Sequence, residues 1–144
     1  YKRQALRETW EETGLLIGQQ GQIKPTGSSE LHKAYTNSGQ APILNGLDYI
    51  ARAITNARSP IRYDTRFFLI DGDKATGILR QTNELEDIGW RRVSIALDTL
   101  DLMNVTNFAL KEAKKLWERK DSPDADRRVA RLSTRLNAKL FTME

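Results

Sequence analysis

Cysteine is absent from this chain of 144 residues, and histidine occurs once. No apolar run comes near the roughly 18 residues that a membrane-spanning helix needs. Without cysteine there is no disulfide, no thiolate nucleophile and no thiolate metal site. The lone His32 cannot furnish a histidine-rich zinc site, and it reads as a solvated loop residue. No segment has the basic, apolar and small-residue succession of a signal peptide. A cytoplasmic location with no membrane partner is the expectation. Neither sign of charge dominates: 23 Lys and Arg stand against 19 Asp and Glu, a formal net charge of +4. That mild excess suits an anionic small substrate and would also suit nucleic acid.

What is present is ordinary for a globular protein, with 39% hydrophobic and 29% charged residues. The length matches one domain with a core of its own. The chain carries no internal repeat and no linker long enough to divide it, so a single domain over residues 1–144 is expected. The most informative stretch lies near the beginning, Ala5-Leu6-Arg7-Glu8-Thr9-Trp10-Glu11-Glu12-Thr13-Gly14-Leu15. At roughly 100° per residue, a helix over residues 1–14 gathers Glu8, Glu11 and Glu12 on one arc, with Leu6, Trp10 and Thr13 opposite. Gly14 falls where a left-handed C-cap suits glycine. Carboxylates at i, i+3 and i+4 repel one another. Either Arg7 and neighbouring cations offset that repulsion on a solvated face, or a hard divalent cation does.

The run Arg7-Glu8-Thr9-Trp10-Glu11-Glu12-Thr13-Gly14-Leu15 resembles the second half of the Nudix box, Arg-Glu-U-x-Glu-Glu-x-Gly-U with U aliphatic or small. The Arg, all three Glu and the Gly stand at the family's spacing. The opening Gly of the box and its first Glu would both precede Tyr1, so the early strands of the fold are expected to be missing from this chain. Glu84-Leu85-Glu86-Asp87-Ile88-Gly89-Trp90 is similar to the acidic residue and strand tryptophan downstream of the box. Arg62-Tyr63-Asp64-Thr65-Arg66-Phe67-Phe68 resembles a stretch of the branch that includes coenzyme A diphosphatases. Together the likenesses cover roughly residues 4–16 and 46–120.

The resemblance implies an α+β fold, a Nudix-like α/β/α sandwich with a mixed sheet. It implies a hydrolase that cleaves the pyrophosphate bond of a nucleoside diphosphate linked to another moiety, using Mg²⁺ or Mn²⁺. Glu8, Glu11 and Glu12 would be the metal ligands, with Glu8 a further ligand or a base, and Arg7 would orient them by ion pairing. Glu84 and Glu86 are candidates for a general base, and Glu86 is carried forward as catalytic. Arg52, Arg62 and Arg66 are candidates for phosphate contact, since guanidinium offers bidentate geometry, and Tyr63 could stack on a base. Against this, each of these side chains also reads as an ordinary solvated surface group. A homodimer is compatible with the chain.

The remaining chain has its own expectations. Residues 18–45, rich in Gly, Gln, Ser, Pro and Asn, read as a long loop with a short helix capped at Ser29. Residues 47–55 and 63–70 read as an antiparallel strand pair, the second buried on both faces. The intervening 56–60 reads as a turn, and a third strand is expected over 85–96 with Ile88, Trp90 and Val93 inward. Residues 105–119 have helical spacing of Phe108, Ala109, Ala113, Leu116 and Trp117. Ser122-Pro123 signals the start of a basic helix over 122–140 carrying Arg127, Arg128, Arg131 and Arg135. With Lys111, Lys114, Lys115, Arg119 and Lys120, that helix supports an alternative function, a non-catalytic nucleotide- or RNA-binding module with a basic helical face.

Overall fold

The computed structural model describes residues 1–24, 28–55, 62–81, 87–120, 124, 126–135 and 138–144. Its elements, in chain order, are α1 (Lys2–Thr13), β1 (Leu16–Gln20), α2 (Glu30–Ser38), β2 (Gln40–Pro42), β3 (Asp48–Ile54) and β4 (Asp64–Leu69). A 3₁₀ turn at Gly72–Lys74 leads into β5 (Ala75–Thr76), followed by α3 (Val93–Thr99), α4 (Asn104–Arg119), β6 (Ala130–Arg135) and β7 (Ala138–Met143). The class is α+β, as the sequence leads one to expect. The chain divides into two compact units, Tyr1–Leu47 with Ile70–Trp90, and Asp48–Leu69 with Arg91–Glu144. Each unit is built from two separated segments, so no linker in the sequence marks the boundary.

The first unit holds a three-stranded antiparallel sheet in the order β2-β1-β5, with Gly18 opposite Pro42 and Leu16 opposite Thr76. Leu15, Leu16 and Ile17 are buried, as a short apolar run entering a strand should be. Leu6 of α1 and Tyr35 of α2 are also buried. The Tyr35 hydroxyl donates to the Ile17 carbonyl at 2.8 Å, and burial pushes that phenol above its ordinary pKa. Residues 18–45 are therefore not a long loop. They contain the end of β1, all of α2 and β2, with Ser29 capping α2 by accepting from the His32 amide at 3.2 Å. The cap was legible. The strands were not, because Gly18, Gln19 and Gln20 have weak strand propensity and pairing overrides it.

The second unit is organised around β3. A mixed four-stranded sheet runs β4-β3-β6-β7, with β3 antiparallel to β4 and parallel to β6. The expected strand pair is present as β3 and β4, with a bulge between Tyr49 and Ala51. Its second strand differs in burial, since Phe67, Phe68 and Leu69 are half-buried rather than enclosed on both faces. Ile50 and Ala51 of β3, Phe108 and Leu116 of α4 and Leu132 of β6 form the core of this unit. Helix α4 buries Phe108, Ala109 and Leu116, the spacing of one helical stripe, while Trp117 falls off that stripe and is exposed.

Two expectations are overturned here. No strand runs through the described part of 85–96; residues 93–99 form α3, which contacts α4 and buries Ala96, and Trp90 is exposed. Val93 and Ile95 favour a strand by propensity, but tertiary contact decides between the two states. The basic helix over 122–140 is replaced by the β6–β7 hairpin, whose register runs from Ala130 opposite Met143 to Arg135 opposite Ala138. Ala130 to Ser133 pair with Ala51 to Ile54 of β3, a long-range partner invisible to local pattern. The RNA-binding alternative thus loses its terminal helix, while Lys111, Lys114, Lys115 and Arg119 stand on α4. Residues 56–60, with their turn, and Glu84 and Glu86 lie outside the described residues.

Candidate metal and substrate site

Helix α1 begins after Tyr1 and stops at Gly14, which takes the left-handed conformation at φ 78° and donates its amide to the Trp10 carbonyl at 2.9 Å. A Cβ at Gly14 would stand 2.8 Å from the Ile78 carbonyl oxygen, so the position requires glycine on both conformational and steric grounds. The helix is held from its other side as well. Arg80 donates its amide to the Thr13 carbonyl at 3.0 Å, and its guanidinium lies 5.1 Å from the Trp10 ring centroid. Trp10 therefore serves to fix the end of α1 rather than to fill the core. Thr9 and Thr13 hydroxyls donate to the carbonyls of Ala5 and Thr9, one turn back.

The acidic arc faces away from Leu6. Arg7 sits between two of its carboxylates, with NH2 3.2 Å from Glu8 and Nε 3.6 Å from Glu11. Glu8 also accepts from the Gln4 side-chain amide. Glu8 and Glu11 keep 42% and 48% of their side-chain surface exposed, so both are open to a ligand from solvent. Glu12 is half-buried on the same helix. Among the described residues, no three His, Asp or Glu side chains already converge on one point. The donor chemistry nonetheless fits a hard divalent ion: three carboxylates on one helical arc, with a guanidinium that holds two of them together.

The residues expected to contact phosphate fall in the second unit. Arg52 of β3 forms a bidentate pair with Asp64 of β4, Nε and NH2 each 2.7 Å from a carboxylate oxygen. Its NH1 reaches both oxygens of Glu144, at 3.2 and 3.1 Å. Arg66 adds a longer contact to Asp64 at 3.7 Å. The Arg52 hydrogen bonds hold the Asp64 carboxyl below the usual carboxylate range and raise the guanidinium further above its own. Partial burial pushes Glu144 upward, but hydrogen bonds from Arg52 and Tyr49 outweigh it and bring the carboxyl below its ordinary value. Tyr49 is raised, by burial first and by its hydrogen bond to Glu144 second. Arg62 and Tyr63 are exposed. The structure thus brings Arg52 and Arg66 together on one sheet face, with their charge answered by acidic partners.

One charged pair escaped sequence reading altogether. Arg127 NH2 lies 2.6 Å from Asp48 Oδ2, with side-chain exposures of 17% and 7%. A buried pair of this kind breaks at high cost, because the survivor is left as an uncompensated charge. Its partners are far apart in sequence, so only the β3–β6 pairing could have signalled it.

No protein-family model matches the chain, and neither the curated proteins nor the solved structures contain a match.

Proposed function

We propose that the chain is a divalent-metal-dependent hydrolase of the Nudix type, cleaving the pyrophosphate bond of a nucleoside diphosphate linked to another moiety. The observation that carries this reading is the constellation on α1. Arg7 pairs with Glu8 and Glu11, Glu12 shares the helix, and Gly14 ends it where no side chain fits. Arg7 as the partner of two carboxylates and Gly14 as the required stop support the reading.

In this reading Glu8, Glu11 and Glu12 hold Mg²⁺ or Mn²⁺, which neutralises phosphate charge and makes a bound water a better nucleophile. Arg7 is a positioning residue. It keeps like charges close in the absence of a cation and sets the direction of the carboxylates. Glu86 is retained as a candidate base. The sandwich form of the Nudix fold and a coenzyme A-like or related dinucleotide substrate belong to the same proposal.

The test is Mg²⁺-dependent release of nucleotide or phosphate from a panel of nucleoside diphosphate derivatives. Glu11→Gln and Glu12→Gln should lower kcat by at least about a hundredfold, since they remove ligands of the ion. Arg7→Ala should cost about ten- to a hundredfold in metal affinity while leaving saturating-metal kcat less affected, as loss of a supporting contact does. Turnover that is indifferent to EDTA, or unchanged in both Gln variants, would overturn the proposal.

A further inference from the structure

The sheet of the second unit has two edge strands, and they differ. The edge at β4 opens with Asp64 and Arg66, and its Phe67, Phe68 and Leu69 are half-buried. Charge and cover of that kind blunt an edge against pairing with another chain. The edge at β7 has neither. Leu140, Phe141 and Met143 are 41%, 65% and 51% exposed, and no charge interrupts residues 140–143. Side chains alternate along a strand, so Phe141 and Met143 share the face toward α4 while Leu140 lies on the other. On the α4 side, Phe141 stands 5.9 Å, ring to ring, from Phe108. A cavity of about 760 Å³ lies there between α4 and the hairpin, with Phe108, Leu132, Phe141 and Met143 in its wall.

The backbone of β7 is as telling as its side chains. Val129 and Glu144 exchange both of their hydrogen bonds, at 2.7 and 2.9 Å. In an antiparallel ladder such pairs alternate with pairs that exchange none. From the register of the hairpin, Leu140 and Thr142 then bond inward to β6, and the amides and carbonyls of Lys139, Phe141 and Met143 point outward. Among the described residues, no strand pairs with that edge. The Met143 carbonyl accepts from the Arg128 guanidinium at 3.3 Å, and a carbonyl oxygen has a second lone pair.

We propose that β7 pairs antiparallel with β7 of a second copy of this chain, joining the two four-stranded sheets about a twofold axis at Phe141. An isologous contact has to be self-complementary. This edge meets that condition. With Phe141 opposite the second copy's Phe141, Lys139 falls opposite Met143 in both directions. Every outward amide and carbonyl between residues 139 and 143 then meets a partner. Sliding either strand leaves outward groups unmatched, and a slip of one residue sets outward groups against inward ones. The uncharged run brings no like charges together at its centre, and the two Phe141 rings form a cross-strand aromatic pair. An identical strand reproduces this phase by symmetry, whereas a foreign strand has to match both backbone and side chains independently.

Sedimentation velocity of the full chain, over a concentration series reaching about a millimolar, should show a monomer–dimer equilibrium. Phe141→Lys and Phe141→Glu should each weaken it by at least about tenfold, because like charges then stand directly opposite. An equimolar mixture of these two variants should dimerise again. Met143→Lys, which sets a second lysine opposite Lys139, should weaken association to a similar degree. Phe141→Pro removes an amide hydrogen that the hairpin does not use, and should abolish the dimer while circular dichroism is retained. Thr65→Lys, an equal change of charge on β4, and Trp117→Lys, on the exposed side of α4, should leave the dimer intact.

A monomer at every concentration overturns the proposal, as does a dimer indifferent to the variants at positions 141 and 143. Loss of the dimer in Thr65→Lys or Trp117→Lys instead would place the contact on β4 or α4. A mixture of the Lys and Glu variants that stays monomeric would exclude the axis at Phe141. Species larger than a dimer that grow with concentration would mean open-ended association rather than a closed pair. Each of these results excludes the strand pairing stated here.

Discussion

Arg52 shows how much one side chain can do within the second unit. It spans two strands by engaging Asp64 through two nitrogens, and it ties Glu144 to the same sheet face. Asp64 and Glu144 both have pKa values below their ordinary ones in the folded state. For a depressed carboxylate the stabilisation is complete above the unfolded pKa, about 4, and disappears as pH falls through the folded value. Arg52→Ala should therefore destabilise the second unit at pH 7. The gap between variant and wild type should close as pH is lowered below about 4. Urea unfolding followed at pH 7 and again at pH 3 measures this directly, and an equal gap at both pH values would contradict it. The effect at neutral pH will be modest, since Asp64 keeps 44% of its side-chain surface exposed and solvent screens the pair.

At the scale of elements, α1 and its cap were readable from sequence and β6–β7 were not, for a reason that can be stated. The signals of α1 are local: a Glu arc at helical spacing, an apolar face through Leu6 and a Gly at the stop. Gly14→Ala should destabilise the first unit by at least about 1–2 kcal/mol, the penalty for a left-handed residue with a Cβ, and by more where that Cβ meets the Ile78 carbonyl. Thermal unfolding of the variant checks this, and a neutral result would remove the steric argument. The hairpin, by contrast, owes its form to β3, which lies far back in the sequence. Ser122-Pro123 and four arginines looked like a helix start and a solvated face, and nothing local opposed that reading. The site was legible to the same degree. Arg7, Glu8, Glu11 and Glu12 stand on one helix and could be read together. The Arg127–Asp48 pair and the cavity wall on α4, β6 and β7 depend on pairings that no window of sequence contains.

For the whole molecule, both units are discontinuous in sequence. A fragment ending at Leu47 would keep α1, β1, α2 and β2 but lose β5, the neighbour of β1 at Leu16 and Ile17. It should fail to unfold cooperatively in urea, whereas the full chain should show cooperative transitions. A cooperative fragment would mean that β5 and the 3₁₀ turn contribute little. The parallel β3–β6 contact has a further consequence, for the order of events during synthesis. When β3 and β4 have emerged from the ribosome, one flank of β3 still offers unsatisfied amides and carbonyls to any passing chain. Residues 130–133 occupy that flank only after about sixty more residues have been made. Until then the nascent polypeptide is exposed to aggregation, and its yield on rapid expression should depend on temperature and chaperones more than its final stability would suggest.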